Sequence, residues 1–138
     1  MDKISEDLFQ YAFEVTESTI ESFKLEEKDL IVIFSSLNVH KYFGKIDFGI
    51  EKSYEKNAQM IIRDAVVYGQ EPDFPSKVSD FSFVEDGSIY RNYIDYPFTA
   101  KGDLQFVITF YTGDKVTVRS NKVFMIINAL DSNKHDIQ

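Results

Sequence analysis

The side chains of this sequence that could do chemistry near neutral pH are few. Its two histidines are His40 and His135, and an imidazole there serves as a base, a proton carrier or a metal ligand. His40 lies in Asn38-Val39-His40-Lys41-Tyr42-Phe43-Gly44, which reads as a loop between strands. No second ligand stands at zinc-motif spacing around it, so a hydrogen-bonded structural histidine is the plain reading and a functional His40 the sharper one. His135 belongs to a polar tail. Carboxylates are more plentiful: Glu71, Asp73, Asp80, Glu85, Asp86 and Asp95 fall within one stretch. Paired carboxylates perform acid–base work when their surroundings separate their pKa values, but linear order sets neither their separation nor their burial. Calcium needs six to eight oxygen ligands, and a loop-built site would draw on Asp80, Glu85, Asp86 and Asp95. The spacing matches no calcium-binding helix–loop–helix, and no cofactor is implied.

Aromatic residues interleave with those acids. Tyr68, Phe74, Phe81, Phe83, Tyr90, Tyr93, Tyr96 and Phe98 bracket the acidic middle of the chain. A tyrosine buries its ring at an interface while its hydroxyl keeps a hydrogen bond, and its face stacks equally well on a sugar. Phe81 and Phe83 alternate with Ser82 and Val84 as core residues do, whereas Tyr90, Tyr93 and Tyr96 sit near turns and are the better binding candidates. Arg91 stands within reach of Asp86 or Asp95. Arg63 beside Asp64 reads as a local structural pair.

Several chemistries are excluded by composition. The chain has no cysteine, which removes thiolate nucleophiles, iron–sulfur clusters, disulfides and cysteine zinc sites. Gly44 and Gly49 are too far apart for a dinucleotide fingerprint, and no phosphate-loop pattern occurs. No serine has the glycine-flanked setting of a hydrolase nucleophile. The formal charge is −8, which repels polyanions at long range and argues against nucleic acid as a partner. The acidity is uneven: residues 1–29 hold nine acids against three lysines, and residues 71–98 hold six against Lys77 and Arg91. No apolar run reaches membrane-helix length, and the start at Met1-Asp2-Lys3 is not that of a secretory signal; a cytoplasmic location is the expectation.

The elements that position these residues are mostly strands. Phe9, Tyr11, Phe13 and Val15 alternate with more polar neighbours, the two-residue period of a half-buried strand. Thr16–Thr19 is a polar break, after which Ile20–Leu25 extends a hairpin or forms a short capped helix. Leu30–Phe34 is apolar on both faces, which predicts a central strand covered on both sides or a sandwich strand beside a second packing layer. Asn38–Lys45 interrupts the pattern, Ile46, Phe48 and Ile50 resume it, and Glu51–Asn57 reads as a solvated loop. Ala58–Tyr68 is a strand bent near Arg63-Asp64, with a helix as its competitor. Gly69–Ser76, with Pro72 and Pro75, is irregular. Ile89–Tyr93 returns from a turn at Glu85-Asp86-Gly87-Ser88 and ends at Asp95-Tyr96-Pro97. The firmest signal is the hairpin of Leu104, Phe106, Ile108 and Phe110 with Val116 and Val118, turned at Thr112-Gly113-Asp114-Lys115. A break at Ser120–Lys122 precedes Val123–Ile127.

Short strands at this spacing predict an all-β fold, an antiparallel β-sandwich or small β-barrel, with a compact α+β domain as the alternative. One domain spans residues 1–138, its tail at 129–138 loose. The absence of a catalytic motif makes an enzyme the weaker expectation. The leading one is a non-catalytic protein-binding module, for instance an inhibitor or immunity-type protein with a basic partner, using Glu71, Asp73, Glu85, Asp86, Tyr90, Arg91, Tyr93, Asp95 and Tyr96. A carbohydrate-binding β-sandwich and a small carboxylate-dependent hydrolase are the alternatives.

Overall fold

The computed structural model describes residues 9–43 and 50–128. Nine strands run in chain order: β1 (Phe9–Glu26), β2 (Asp29–Phe43), β3 (Ile50–Arg63), β4 (Val66–Gly69), β5 (Ser76–Glu85), β6 (Ser88–Tyr90), β7 (Ile94–Tyr96), β8 (Thr99–Phe110) and β9 (Lys115–Ile127). All pairings are antiparallel, and six strands close on themselves in the order β1-β2-β3-β9-β8-β5 and back to β1. The other three pack outside this ring: β4 on β9, β6 on β5 and β7 on β1. The fold is thus a small closed β-barrel, within the all-β sandwich-or-barrel class that the alternation predicts with the sandwich preferred. Among the described residues there is no helix, so the α+β alternative falls away, and none long and apolar enough to cross a membrane.

The two-residue period sends one set of side chains inward. Phe13, Val15 and Ile20 of β1 meet Leu30, Val32 and Phe34 of β2, Met60 and Ile62 of β3, and the inward residues of β5, β8 and β9, all buried in one cluster. Phenylalanine supplies much of the bulk. Phe83 stacks on Phe106 at 4.9 Å with an interplanar angle of 15°, and each such ring, fully buried, stabilises by about 1.5–3 kcal/mol.

Closure depends on one irregularity in β1. Phe9–Glu14 and Ser22–Glu26 both pair with β2, but in registers that differ by a bulge between Glu14 and Ser22. Glu17 takes a positive φ of 72° within it. The fully buried Ser18 hydroxyl donates to the Glu14 carbonyl at 2.7 Å and accepts from the Asn38 amide at 3.0 Å, replacing ladder bonds that the bulge removes. The Asn38 side chain donates in turn to the Thr16 carbonyl at 3.3 Å. Just past the bulge, Thr19 and Ile20 pair with Lys77 and Ser76 of β5. The polar Thr16–Thr19 stretch is therefore a bend inside one long strand, and no helix follows it.

Other expectations are corrected or sharpened. Asn38–Phe43 is strand, and so is Glu51–Asn57: β2 and β3 pair along both, His40 opposite Ser53 and Asn38 opposite Glu55. Backbone pairing needs no apolar side chain on the outward face, so polar residues there erased the signal. Ile31 and Ile33 point outward and are half-buried, with no second layer covering them among the described residues. β9 runs unbroken through Ser120–Lys122. Ile89–Tyr93 shortens to the three residues of β6. The bend at Arg63-Asp64 is present: β3 and β4 pair with β9 in one continuous register, Arg63 opposite Lys122 and Val66 opposite Arg119, interrupted only at Asp64 and Ala65. Asp29 holds that interruption, accepting from the Arg63 guanidinium at 2.9 Å and the Asp64 amide at 3.2 Å, so Arg63 pairs across strands rather than with its neighbour. The expected strand at Ile46 and Phe48, and the tail with His135, lie outside the described residues.

Replacing a buried hydroxyl that makes two hydrogen bonds leaves a buried partner unsatisfied, at a cost of about 1–3 kcal/mol. Ser18→Ala should lower unfolding stability by that amount in urea titration, while Ser79→Ala, which removes a single half-buried bond to the Thr109 carbonyl, should lower it by less.

Candidate functional site

The barrel is sealed unevenly. β1 and β5 pair directly only at Thr19–Lys77 and Ile20–Ser76. Farther along the same seam, β1 pairs with β7 through Tyr11–Phe13, and β5 pairs with β6 through Phe83–Glu85. β6 and β7 do not pair with each other; they are the two ends of the hydrogen-bonded sheet. The seam therefore opens into a cleft of about 340 Å³ between them.

Its floor is packed and apolar. Phe98, on the run from β7 to β8, meets Phe13 of β1 at 5.7 Å and Phe83 of β5 at 5.4 Å, edge to face in both cases. It plugs the opening from inside the barrel. Ile94, buried, completes the base. Tyr90 and Tyr93 form the walls, 43% and 40% exposed. Tyr90 stacks on Phe83 at 5.6 Å and 26°, as cross-strand partners on one face do. Glu85 and Asp95 are the carboxylates of the lining, which among the described residues holds no lysine or arginine.

Two of these residues are tied to β2 across the intervening β1. Tyr93 packs edge-on against the His40 ring at 4.9 Å, and Asp95 Oδ1 lies 2.8 Å from the Tyr42 hydroxyl. Ala12 of β1 sits between the two strands, opposite His40 on one side and Asp95 on the other. It is fully buried, and its short side chain leaves the space through which the longer ones meet. His40 is itself buried, its Nε2 3.4 Å from Glu14 Oε1. The Tyr42 hydroxyl also lies 2.8 Å from Gln10 Oε1, and its single proton serves one of the two oxygens at a time. Burial first, then the hydrogen bond to Asp95 and its negative charge, push the Tyr42 pKa up to about 12. His40 thus sits in a strand, beneath a cleft wall, and not in a loop.

The remaining sequence candidates lie elsewhere. Glu71 and Asp73 are exposed on the connection from β4 to β5. Asp86, at the turn between β5 and β6, accepts from the Asp103 amide at 3.0 Å and holds the bulge in β8, where it packs against Gly102 (φ +126°). Arg91 is exposed and, among the described residues, forms no ion pair with Asp86 or Asp95. Tyr96 is half-buried, its hydroxyl accepting from the Ile127 amide at 3.3 Å. No group of three or more His, Asp or Glu side chains is placed to hold a metal ion among the described residues. Sequence reading did not single out Tyr42, Glu14 or Ala12; the usable signal was His40 and Tyr42 two residues apart, once β2 is carried to Phe43.

Comparison with family models, curated proteins and solved structures finds no match for this chain.

A raised tyrosine pKa means that protonated Tyr42 is favoured in the folded state. Its contribution to stability is fully present below pH 10, the unfolded value, and is lost as pH rises through about 12. Carbon-13 NMR of labelled tyrosines should show Tyr42 deprotonating later than an ordinary tyrosine, and Asp95→Asn should move that titration down toward 10.

Proposed function

We propose that the chain is a non-catalytic binding module that docks a basic protein partner over the open seam of its barrel. The observation that carries this reading is the convergence of Tyr90, Tyr93, Glu85 and Asp95, from β5, β6, β7 and the approach to β7, on one cleft with a packed apolar floor. Exposed tyrosines around a packed centre are the usual anchors of protein interfaces. Carboxylates at the rim of an acidic chain speed the encounter with a basic surface. The tie of Tyr93 to His40 and of Asp95 to Tyr42 lowers the ordering cost of binding, because these side chains are held before the partner arrives.

The exposed apolar residues Leu25, Val66 and Tyr68 make an internal control, since Leu25 lies at the opposite end of β1 from the cleft. Affinity capture should be run with the wild-type chain, with the double variant Tyr90→Ala/Tyr93→Ala, and with Leu25→Ser/Val66→Thr. A directly cross-linked protein should be retained by the wild type and by the Leu25/Val66 variant, and reduced tenfold or more by the tyrosine variant, as loss of about 1.4 kcal/mol or more requires. Equal capture by all three chains sinks the proposal.

A further inference from the structure

We infer that the seam cleft is a receptor for a single arginine side chain of the partner, with the guanidinium lying on the Tyr90 ring and its N–H groups on Glu85 and Asp95. This rests on the docking reading above and adds the chemistry of the anchor.

Three properties of the cleft select that group. The first is charge. The rings of Tyr90 and Tyr93 present negative faces, and Glu85 and Asp95 stand beside them in a lining that, among the described residues, holds no cation; such a setting attracts a positive charge. Arg91, the nearby guanidinium of the chain itself, is exposed and outside the lining. The second is the acceptor pattern. One oxygen of Asp95 is engaged by the Tyr42 hydroxyl at 2.8 Å, which fixes the carboxylate and leaves its other oxygen as an acceptor. Glu85 adds a second carboxylate on the side of β5. A guanidinium carries five donors in a planar fork and reaches separated carboxylate oxygens from one position, while an ammonium acts as a compact point charge.

The third is desolvation. The floor of Phe83, Ile94 and Phe98 is buried or half-buried, and Tyr90 already stacks on Phe83 at 26°, so its exposed face is a flat extension of the core. A weakly hydrated planar cation covers that face at lower cost than a strongly hydrated ammonium. The volume of about 340 Å³ lies at the small end of ligand sites. It suits one side chain and excludes a helix.

The test uses the nitrogen-15-labelled full chain and three blocked tripeptides, glycine–X–glycine, with X arginine, lysine or citrulline. Citrulline keeps the shape of arginine and removes its charge. Amide shifts should map to Tyr90, Tyr93 and Asp95, with arginine binding on the order of tenfold tighter than lysine and citrulline showing no saturable binding. Glu85→Gln should weaken the arginine peptide about fivefold or more with an otherwise unchanged spectrum. Raising the salt should weaken it as well. Equal binding of lysine or citrulline overturns the inference, as does an arginine response centred on Glu71 and Asp73, or a neutral sugar that binds the cleft more tightly than arginine does. If partner capture still depends on Tyr90 and Tyr93 in those cases, the docking reading survives and only the arginine anchor is lost.

Discussion

In this protein β1 serves two neighbours on the same edge, β5 and β7, and it does so through the bulge that Ser18 holds. Without the change of register between Glu14 and Ser22, β1 would run straight along β2, and its free edge would face either β5 or β7 throughout. The bulge turns it so that Thr19 and Ile20 reach β5 while Tyr11–Phe13 stay with β7. Bulges bend a strand and increase its twist, which is the deformation a small barrel needs. Ser18 makes the bend affordable in polar terms, since its hydroxyl bonds both to the carbonyl of its own strand and to an amide of the next.

The cleft follows from that same geometry. Because β1 and β5 share only two residue pairs, the rest of the seam has to be occupied by other parts of the chain, and the segment from Ser88 to Phe98 fills it. β6 and β7 extend the two edges toward each other, and Phe98 closes the gap from within. What remains outside is a depression whose walls are edge-strand residues. Edge strands are where proteins present unpaired backbone and exposed side chains, and here those that line the cleft include Tyr90 of β6 and Asp95 of β7.

Rigidity reaches this site through β2, a strand that does not line it. His40 supports Tyr93 and Tyr42 supports Asp95, both across Ala12. The arrangement is a small polar layer on the outside of the barrel, made possible by one small residue, Ala12, where a larger side chain would fill the space in which the flanking side chains meet. Two chemically suggestive groups, His40 and the high-pKa Tyr42, are engaged there by ring packing and by a hydrogen bond.

Much of this was legible in the amino-acid order, and the limits have a physical cause. Alternation along Phe13–Val15, Leu30–Phe34 and Leu104–Val118 determined the all-β class, because a buried face in a strand must repeat every two residues. The bend near Arg63-Asp64 was also readable locally. Only the tertiary structure decided that β2 continues through His40 to Phe43, that Thr16–Thr19 is a bulge, and that four of the nine candidate binding residues share a cleft while Glu71, Asp73, Asp86, Arg91 and Tyr96 lie outside it. Periodicity reports the face of a strand that meets the core and is silent on the outward face, where these choices are made. Closure of the seam depends on residues nearly sixty positions apart, Thr19 with Lys77, and no local pattern encodes such a meeting.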